Sequence, residues 1–373
     1  MPFRIVVLGG YGHFGGRIAR ALAPEPQIEL LVAGRNRAAA AACGAGPDRS
    51  AARWEPVVLD HRASEFAATL RELAPNLVIH AAGPFQDQSY HVARAAIAAD
   101  AHYLDLADGR AFVVGISCLD AAARERGVVV AAGASTLPAV SSAVVAHLQP
   151  GFARMDTLTI RIAPGQRTPR GVATLESILS YCGRPFQEWC DGTWRRVHGW
   201  QGLRRLHFPE LGVRWAARCN VPDLELWPVW HPTLRSVRFD ASLELAAAHF
   251  GLWVLAWLVR AGLLRRPEAA AATALRVATL LDRFGSDVGG MQVSIAGLGP
   301  DGKALRRDWE LRAGSGHGPE IPCLPAVVIA RKLSRGEPIA PGARPCRGLM
   351  TLEEFDAAAR HLHICWHVRE RDR

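Results

Sequence analysis

The sequence contains almost no lysine. Lys303 and Lys332 are the two lysines in 373 residues, so arginine supplies nearly all of the positive charge. The net charge of +9 would suit a protein that binds nucleic acid. The chain nevertheless lacks both a basic stripe interleaved with aromatic residues and any nucleic-acid-binding motif. We therefore expect no nucleic-acid partner, and a phosphorylated small molecule accounts for the charge more simply.

Cysteine pairs are also missing. No two cysteines form a Cys-x-x-Cys pair, and no cysteine and histidine cluster has the spacing of a zinc site. The N-terminal apolar run is too short for a secretory signal and is interrupted by glycines. We expect no metal, a cytoplasmic location and free thiols at all eight cysteines: Cys43, Cys118, Cys182, Cys190, Cys219, Cys323, Cys346 and Cys365.

One long apolar segment, residues 243–264, stands out from this otherwise ordinary composition. A helix that spans a membrane needs about 20 mostly apolar residues. Three alternatives are open: a buried or dimer-interface helix, a helix lying in a membrane interface, and a true span. Trp253 and Trp257, with Arg265 and Arg266 just beyond, favour the second over the third. We expect a homodimer, with membrane association through this segment as the alternative use of the surface.

The first 150 residues alternate short apolar runs with helical patterns, which predicts β-α-β units. Six such runs are typical of the buried strands of a parallel sheet. Beyond residue 151 the patterns change to alternating strands and amphipathic helices. The predicted fold class is α/β, with a doubly wound Rossmann-type parallel sheet followed by a second α+β domain. The six predicted strands are residues 4–8, 28–33, 56–60, 77–82, 102–107 and 128–132.

A glycine-rich loop directly follows the first strand and opens a helix. Glycine tolerates positive φ, and its missing Cβ lets the backbone approach a pyrophosphate at the helix N-terminus. Gly10, Gly12 and Gly15 form one register of the dinucleotide fingerprint, and Gly9, Gly12 and Gly15 form another that is one residue longer. The second fits better, since Gly9 directly follows the strand. The predicted contacts are Gly9, Gly10, Tyr11, Gly12, His13, Phe14 and Gly15.

The end of the second strand indicates which dinucleotide is bound. NAD-preferring folds place Asp or Glu there to bind the ribose 2′-hydroxyl. This chain has Gly34 and then Arg35, followed by Asn36 and Arg37. An arginine at this position would pair with a 2′-phosphate. The predicted cofactor is therefore NADP, with Arg35, Asn36 and Arg37 among its contacts.

The loops after strands four to six should lie beside the cofactor, because ligands of doubly wound sheets bind beyond the carboxyl ends of the strands. The loop after strand four contributes Ala82, Gly83, Pro84 and Phe85 as further predicted cofactor contacts. Candidates for a proton donor or electrostatic clamp are Tyr103, Asp105 and Ser135, with His317 as a candidate from a glycine-rich loop. The Tyr and Lys pair of short-chain dehydrogenases, spaced by four residues, is absent.

Three stretches carry a family resemblance: VVLGGYGHFGG, VIHAAGPFQDQSYHVARAAIAADAHYLDLADG and AAGASTLPAVSSAVV. Over residues 3–148 the chain resembles the saccharopine dehydrogenase-like family. The resemblance implies an NADP-binding domain over residues 1–150 and a second domain over 151–335 for substrate and dimer contacts. It also implies a C-terminal segment, 336–373, that packs back on the first domain. Cofactor contacts from the glycine loop and from Gly83-Pro84-Phe85 follow as well.

The predicted function is an NADP(H)-dependent oxidoreductase that transfers hydride to a small-molecule substrate. Members of the family make or cleave a secondary amine that joins two amino acids, and relatives include membrane-associated enoyl reductases that act on lipids. Both substrate classes, imine or amino acid and enoyl or lipid, stay open. The alternative hypothesis is a non-catalytic NADP-binding sensor or scaffold.

Overall fold

The computed structural model describes residues 2–43, 53–208 and 210–372. It divides into two compact units, each built from two pieces of the chain. Met1–Val140 and Glu320–Ala358 form the first unit, and Ser141–Pro319 and Ala359–Arg373 form the second. The sequence-based boundaries at residues 150 and 335 fall inside these units and not between them: residue 150 lies in the second unit and residue 335 lies in the first. The roles predicted for the domains stay predictions.

Within the described residues, the structure contains sixteen strands and thirteen α-helices. The strands are β1 (Phe3–Leu8), β2 (Ile28–Gly34), β3 (Arg53–Val58), β4 (Leu77–His80), β5 (His102–Asp105), β6 (Val129–Ala132), β7 (Arg154–Ala163), β8 (Pro185–Cys190), β9 (Thr193–His198), β10 (Arg204–Phe208), β11 (Gly212–Arg218), β12 (Ser236–Ser242), β13 (Gly289–Leu298), β14 (Ala304–Ala313), β15 (Gly342–Pro345) and β16 (Ile364–Asp372). The helices are α1 (Gly15–Leu22), α2 (Arg37–Cys43), α3 (Phe66–Glu72), α4 (His91–Ala98), α5 (Arg110–Gly115), α6 (Asp120–Glu125), α7 (Ser141–Leu148), α8 (Val172–Ser180), α9 (Asp223–Trp230), α10 (Ala246–Arg260), α11 (Ala271–Leu281), α12 (Leu324–Ser334) and α13 (Leu352–Ala359).

The first unit contains a parallel sheet in the order β15-β6-β5-β4-β1-β2-β3. All six predicted strands are present, in the doubly wound order expected of them. The direction of winding reverses between β1 and β4, where Val7 lies opposite Ile79. Ligands of such folds bind in the crevice at this switch point. The sheet therefore places its binding crevice directly beside the glycine loop that follows β1.

The seventh strand of this sheet and the helix before it come from the C-terminal part of the chain. β15 pairs in parallel with β6, and the backbone N–H of Ala343 donates to Asp120 Oδ1 at 2.8 Å. α12 belongs to the same unit, where Arg331 pairs with Glu25 at 2.7 Å. The sequence did not indicate β15, because four residues that include Gly342 and Pro345 carry no apolar period.

The second unit contains a mixed sheet in the order β10-β11-β12-β7-β13-β14-β16. Its neighbours pair antiparallel except for β7 and β12, which are parallel. Residues 299–302 connect β13 and β14 in a hairpin, and Gly302 has φ +75°. The outermost strand at one edge is β16, which pairs with β14. Its apolar residues Ile364, Trp366 and Val368 recur at every second position.

Within the long apolar segment, residues 246–260 form α10, which is 15 residues long. Among the described residues, none of the helices combines the length and the apolar character needed to cross a bilayer. All eight cysteines lie in the described parts of the chain and are free.

Candidate functional site

The glycine loop turns tightly between β1 and α1, and its glycines have no room for side chains. Gly9 has φ +72°, in the left-handed region that favours glycine. The N–H of Gly12 donates to the carbonyl of Gly9 at 2.8 Å. A Cβ on Gly15 would collide with that same Gly9 carbonyl. Gly9, Gly12 and Gly15 thus form one compact turn, as the longer register requires, and α1 begins directly at its end.

The glycine loop lies against the loop that follows β4. A Cβ added to Gly9 would be 3.1 Å from the backbone nitrogen of Ala82. Two segments predicted to bind the cofactor, separated by about seventy residues, are therefore adjacent across the switch point. This proximity follows from the pairing of β1 with β4, because both loops leave the carboxyl ends of neighbouring parallel strands.

Tyr11 connects the glycine loop to the end of β2. Its ring occupies the space that a side chain on Gly34 would need, since a Cβ there would overlap the ring atoms. Its hydroxyl accepts a hydrogen bond from the backbone N–H of Asn36 at 3.1 Å. Asn36 in turn accepts from the N–H of Ala39 through Oδ1, which caps α2. Tyr11 and Asn36 therefore fix the backbone on either side of Arg35.

Arg35 and Arg37 are exposed beside this turn. Burial lowers the pKa of the nearby His61 imidazole, His91 and Arg62 add to this effect, and Arg35 makes a smaller contribution in the same direction. The end of β2 therefore presents positive charge at the position where an adenosine 2′-phosphate would lie in a dinucleotide-binding fold. Among described residues, no ion pair involves the Arg35 guanidinium.

The remaining predicted contacts in the glycine loop line the start of α1. The guanidinium of Arg17 donates to the carbonyl of His13 and pairs with Glu320 at 2.9 Å. The His13 ring packs edge-on against Phe14. The carbonyl of Phe14 accepts from the N–H of Ile18 at 3.0 Å, within the first turn of the helix. These bonds hold the helix N-terminus in position beside the loop.

The loop after β4 is held by a side chain that the sequence analysis did not single out. Gln88 Nε2 donates to the carbonyls of Ala82 at 2.9 Å and Pro84 at 2.7 Å. Phe85 is buried, and its ring packs edge-on against His80 with 4.9 Å between centroids. The backbone of Gly83 and Pro84 is partly exposed. The loop can therefore present its backbone to a ligand while Phe85 anchors it from below.

Asp105 lies at the end of β5 and connects two loops. Its Oδ1 accepts from the N–H of Gly133 at 2.8 Å and from that of Ala107 at 3.0 Å. Burial raises the pKa of this carboxyl to about 7, and the hydrogen bonds from Gly133 and Ala107 and the nearby Tyr103 hydroxyl act against that rise. Asp105 and Tyr103 both have 0% exposed surface. They hold the strand ends together but have no open path to solvent in this structure.

A histidine cluster extends this buried network. His80 Nδ1 and the Tyr103 hydroxyl are 3.1 Å apart, and burial lowers the pKa of His80 to about 3. His61 stacks on His91, with His61 Nδ1 and His91 Nε2 at 3.2 Å. The sequence carried one signal for this cluster: His80 ends an otherwise apolar strand, where a polar residue needs a partner.

The other two candidates for a proton donor lie in different units. Ser135 is 9% exposed and lies in the loop after β6, whose start is held by the hydrogen bond from Gly133 to Asp105. His317 lies in the second unit, where its Nδ1 accepts from the backbone N–H of His363 at 2.9 Å. The structure brings Tyr103, Asp105 and the loop containing Ser135 together. Direct roles for all four residues in catalysis stay predictions.

These residues fit a nicotinamide dinucleotide. The glycine turn is a backbone cradle that a Cβ would fill, and it leads into a helix N-terminus suited to a pyrophosphate. The exposed arginines stand at the adenosine end, and the loops of Ala82 and Ser135 follow the strands on the other side of the switch point. Among the described residues, no group of histidine, cysteine and carboxylate side chains could hold a metal ion.

Comparison with known proteins gives a match for the N-terminal domain and a likeness in fold. Residues 5–147 match the family model of the saccharopine dehydrogenase NADP binding domain. No curated protein matches the sequence significantly. The fold is similar to that of apo saccharopine dehydrogenase (L-Glu forming) from Saccharomyces cerevisiae, with a TM-score of 0.67, 12% identity and coverage of 98% of this chain and 99% of that one. An amine dehydrogenase from Mycobacterium smegmatis has a TM-score of 0.47 and 11% identity over 93% of this chain and 95% of its own.

Proposed function

We propose that the protein is an NADP(H)-dependent oxidoreductase. The proposal is supported by the match of residues 5–147 to the NADP binding domain model and by the similarity of the fold to that of saccharopine dehydrogenase. A dinucleotide-binding domain in this fold supports an oxidoreductase that uses a nicotinamide dinucleotide. The observation that carries the finer proposal is the exposed Arg35 beside the turn that Tyr11 and Asn36 hold. No acidic side chain occupies this position, so a 2′-phosphate would meet a cation and no repelling carboxylate.

The residues of the first unit would hold the cofactor in three places. The glycine turn and the start of α1 receive the pyrophosphate, Arg35 with Arg37 receives the 2′-phosphate, and the loop from Ala82 to Phe85 borders the nicotinamide ribose. When bound, the nicotinamide supplies or accepts a hydride at its ring. The protein's own contribution is to position the two reactants and to exclude water.

Asp105 acts as a positioning residue in this proposal. It joins the backbone of Ala107 to that of Gly133 and so sets the start of the loop that contains Ser135. Ser135 is the candidate that could donate a hydrogen bond to a substrate, because it alone of the three first-unit candidates has measurable exposure. Tyr103 supports Asp105 and His80 from within the sheet.

Two substrate classes remain for this reaction: an imine or amino acid, and an enoyl compound of the lipid class. Oxidation of NADPH by the purified protein, followed by the loss of absorbance of the reduced nicotinamide, would be screened against 2-oxo acids with amines and against enoyl thioesters. Turnover with one class and none with the other assigns the substrate. Tight NADPH binding without turnover of either class would favour the sensor or scaffold alternative.

Titration with NADPH and with NADH tests the cofactor. Arg35→Gln should weaken NADPH binding roughly tenfold to a hundredfold, the range of a hydrogen bond to a charged group, and leave NADH binding unchanged. Arg94→Gln, on the exposed side of α4, is the matched control and should alter neither. If well-folded wild-type protein binds neither dinucleotide, the proposed function is wrong.

A further inference from the structure

The exposed large apolar side chains of this protein are concentrated in one stretch of the chain, which belongs to the second unit. Among the described residues, fourteen large hydrophobic side chains are exposed, and eight of them lie between residues 250 and 284. We call these eight the apolar stripes: Phe250, Val254, Trp257, Leu258, Leu263, Val277, Leu280 and Phe284. Single exposed apolar residues are ordinary, whereas a concentration of this kind marks an interaction surface.

The exposed residues follow the helical period. On α10, Phe250, Val254, Trp257 and Leu258 recur at intervals of four, three and one, so they share one face. Val277 and Leu280 lie three residues apart on α11, and Phe284 follows four residues later, just beyond the helix. Each helix therefore presents an apolar stripe to solvent, where a surface helix ordinarily presents polar residues.

The opposite side of α10 is already fixed to its own unit. His249 and Ala256 are fully buried, and the ring of His249 lies edge-on to Trp200. Arg260 Nη1 donates to Gln201 Oε1 at 2.8 Å. α11 is held in the same way, since Gln166 Nε2 donates to the carbonyl of Ala278 at 2.9 Å. Both helices are therefore already packed in their own unit, and the exposed stripes are not the sides by which they pack there.

The charged side chains on the two helices are all positive. Neither α10 nor α11 contains an acidic residue, and each contains a single arginine, Arg260 or Arg276. The connecting segment adds Arg265 and Arg266, and Arg283 follows α11. In the described chain, no ion pair engages Arg260, Arg265, Arg276 or Arg283.

The two acids of the same segment are already neutralised. Glu268 lies 3.2 Å from Arg184, and Asp282 pairs with Arg170 and accepts from Gln166. The segment thus combines exposed aromatic and aliphatic side chains with an excess of arginine, although Arg266 also lies 3.8 Å from Glu268. Its complement is apolar and negatively charged.

We propose that this surface binds an anionic lipid bilayer, with α10 and α11 lying in the interface. Large apolar side chains enter the acyl boundary, and arginines on the same segment meet the lipid phosphates. Trp257 suits this position, because the Arg260 guanidinium lies 4.8 Å from its ring centroid and the pair is both apolar and cationic. A second copy is a poorer fit, since a symmetric interface would place these arginines against one another.

Vesicle flotation tests the proposal. The purified full chain is mixed with vesicles of phosphatidylcholine alone or with roughly 30% phosphatidylglycerol. Wild type should float with the anionic vesicles, float less with the neutral ones, and be released by added salt. Leu263→Ser with Leu280→Ser removes the two most exposed side chains of the stripes and should abolish flotation. Val229→Ser, at a residue that is 72% exposed outside the stripes, is the control and should float like wild type.

A second pair of variants tests the charge. Arg265→Gln with Arg266→Gln should lower partitioning onto anionic vesicles about thirtyfold, whereas Arg195→Gln with Arg196→Gln, on the exposed β9, should not. Thermal unfolding verifies the fold of every variant without reference to the cofactor. The proposal is overturned if folded wild type ignores anionic vesicles or binds neutral ones equally well. It is also overturned if sedimentation shows a dimer that the Leu263 and Leu280 variant dissociates, because a second copy then covers the stripes.

Discussion

The carboxyl group of Asp105 accepts the backbone N–H of Gly133 at 2.8 Å, and this bond joins the carboxyl ends of two strands in the first sheet. β5 ends at Asp105, and the loop containing Gly133 follows β6. Because Gly133 precedes Ser135 by two residues, this hydrogen bond fixes the start of the loop that contains the serine. The candidate donor is therefore positioned by a residue that does not itself reach solvent.

The raised pKa of Asp105 gives the first prediction. Its pKa is about 7 in the folded protein and 3.8 in the ordinary case, so between these pH values the folded state binds a proton that the unfolded state has lost. This group therefore lowers stability as pH rises from about 4 to about 7. The Asp105→Asn variant lacks this loss and should gain on the order of 2 kcal/mol over wild type between pH 5 and pH 8.

The quantity that tests this prediction is the difference in the free energy of unfolding between wild type and Asp105→Asn. His80, with its pKa lowered to about 3, has the opposite sign and makes wild type more stable as pH rises from 3 to 6.5. Urea unfolding of both proteins at each pH separates the two effects. A constant difference between wild type and Asp105→Asn across this range would contradict the assignment.

The glycine turn gives a second prediction. Gly15→Ala places a methyl group against the Gly9 carbonyl and should open the turn, with a loss of NADPH binding of at least tenfold. Gly251→Ala is the matched control, because a Cβ there meets nothing within 4 Å and the residue lies in α10. That control should be neutral or stabilising by up to about 1 kcal/mol. Fluorescence titration and thermal unfolding measure both effects.

The loop after β4 gives a third prediction. Gln88→Glu keeps the size of the side chain but removes the amide that donates to Ala82 and Pro84, and it turns a carboxylate toward those carbonyls. We expect a loss of about 2 kcal/mol in stability and weaker NADPH binding. Gln88→Met removes the same donor without adding charge, so it should be the milder of the two. Equal behaviour of wild type and both variants would show that Gln88 does not hold the loop.

The sequence determined those parts of the molecule whose signals are local. A continuous apolar run forms a buried parallel strand wherever helices cover both faces, and glycines between β1 and α1 allow one kind of turn. These patterns predicted the order of β1 to β6 and the crevice beside Gly9. Arg35 at the end of β2 was visible for the same reason, because its place is fixed by a short distance along the chain.

Tertiary structure decided what depends on partners distant in sequence. β15 and β16 pair with strands distant in the sequence, which supply their hydrogen bonds, and the four residues of β15 carry no apolar period that would predict a strand. The network of His80, Tyr103 and Asp105 arises because adjacent strands end side by side. Packing likewise decided whether the apolar residues of α10 face the core or the solvent. The apolar composition of a helix does not show which of its faces other elements will cover.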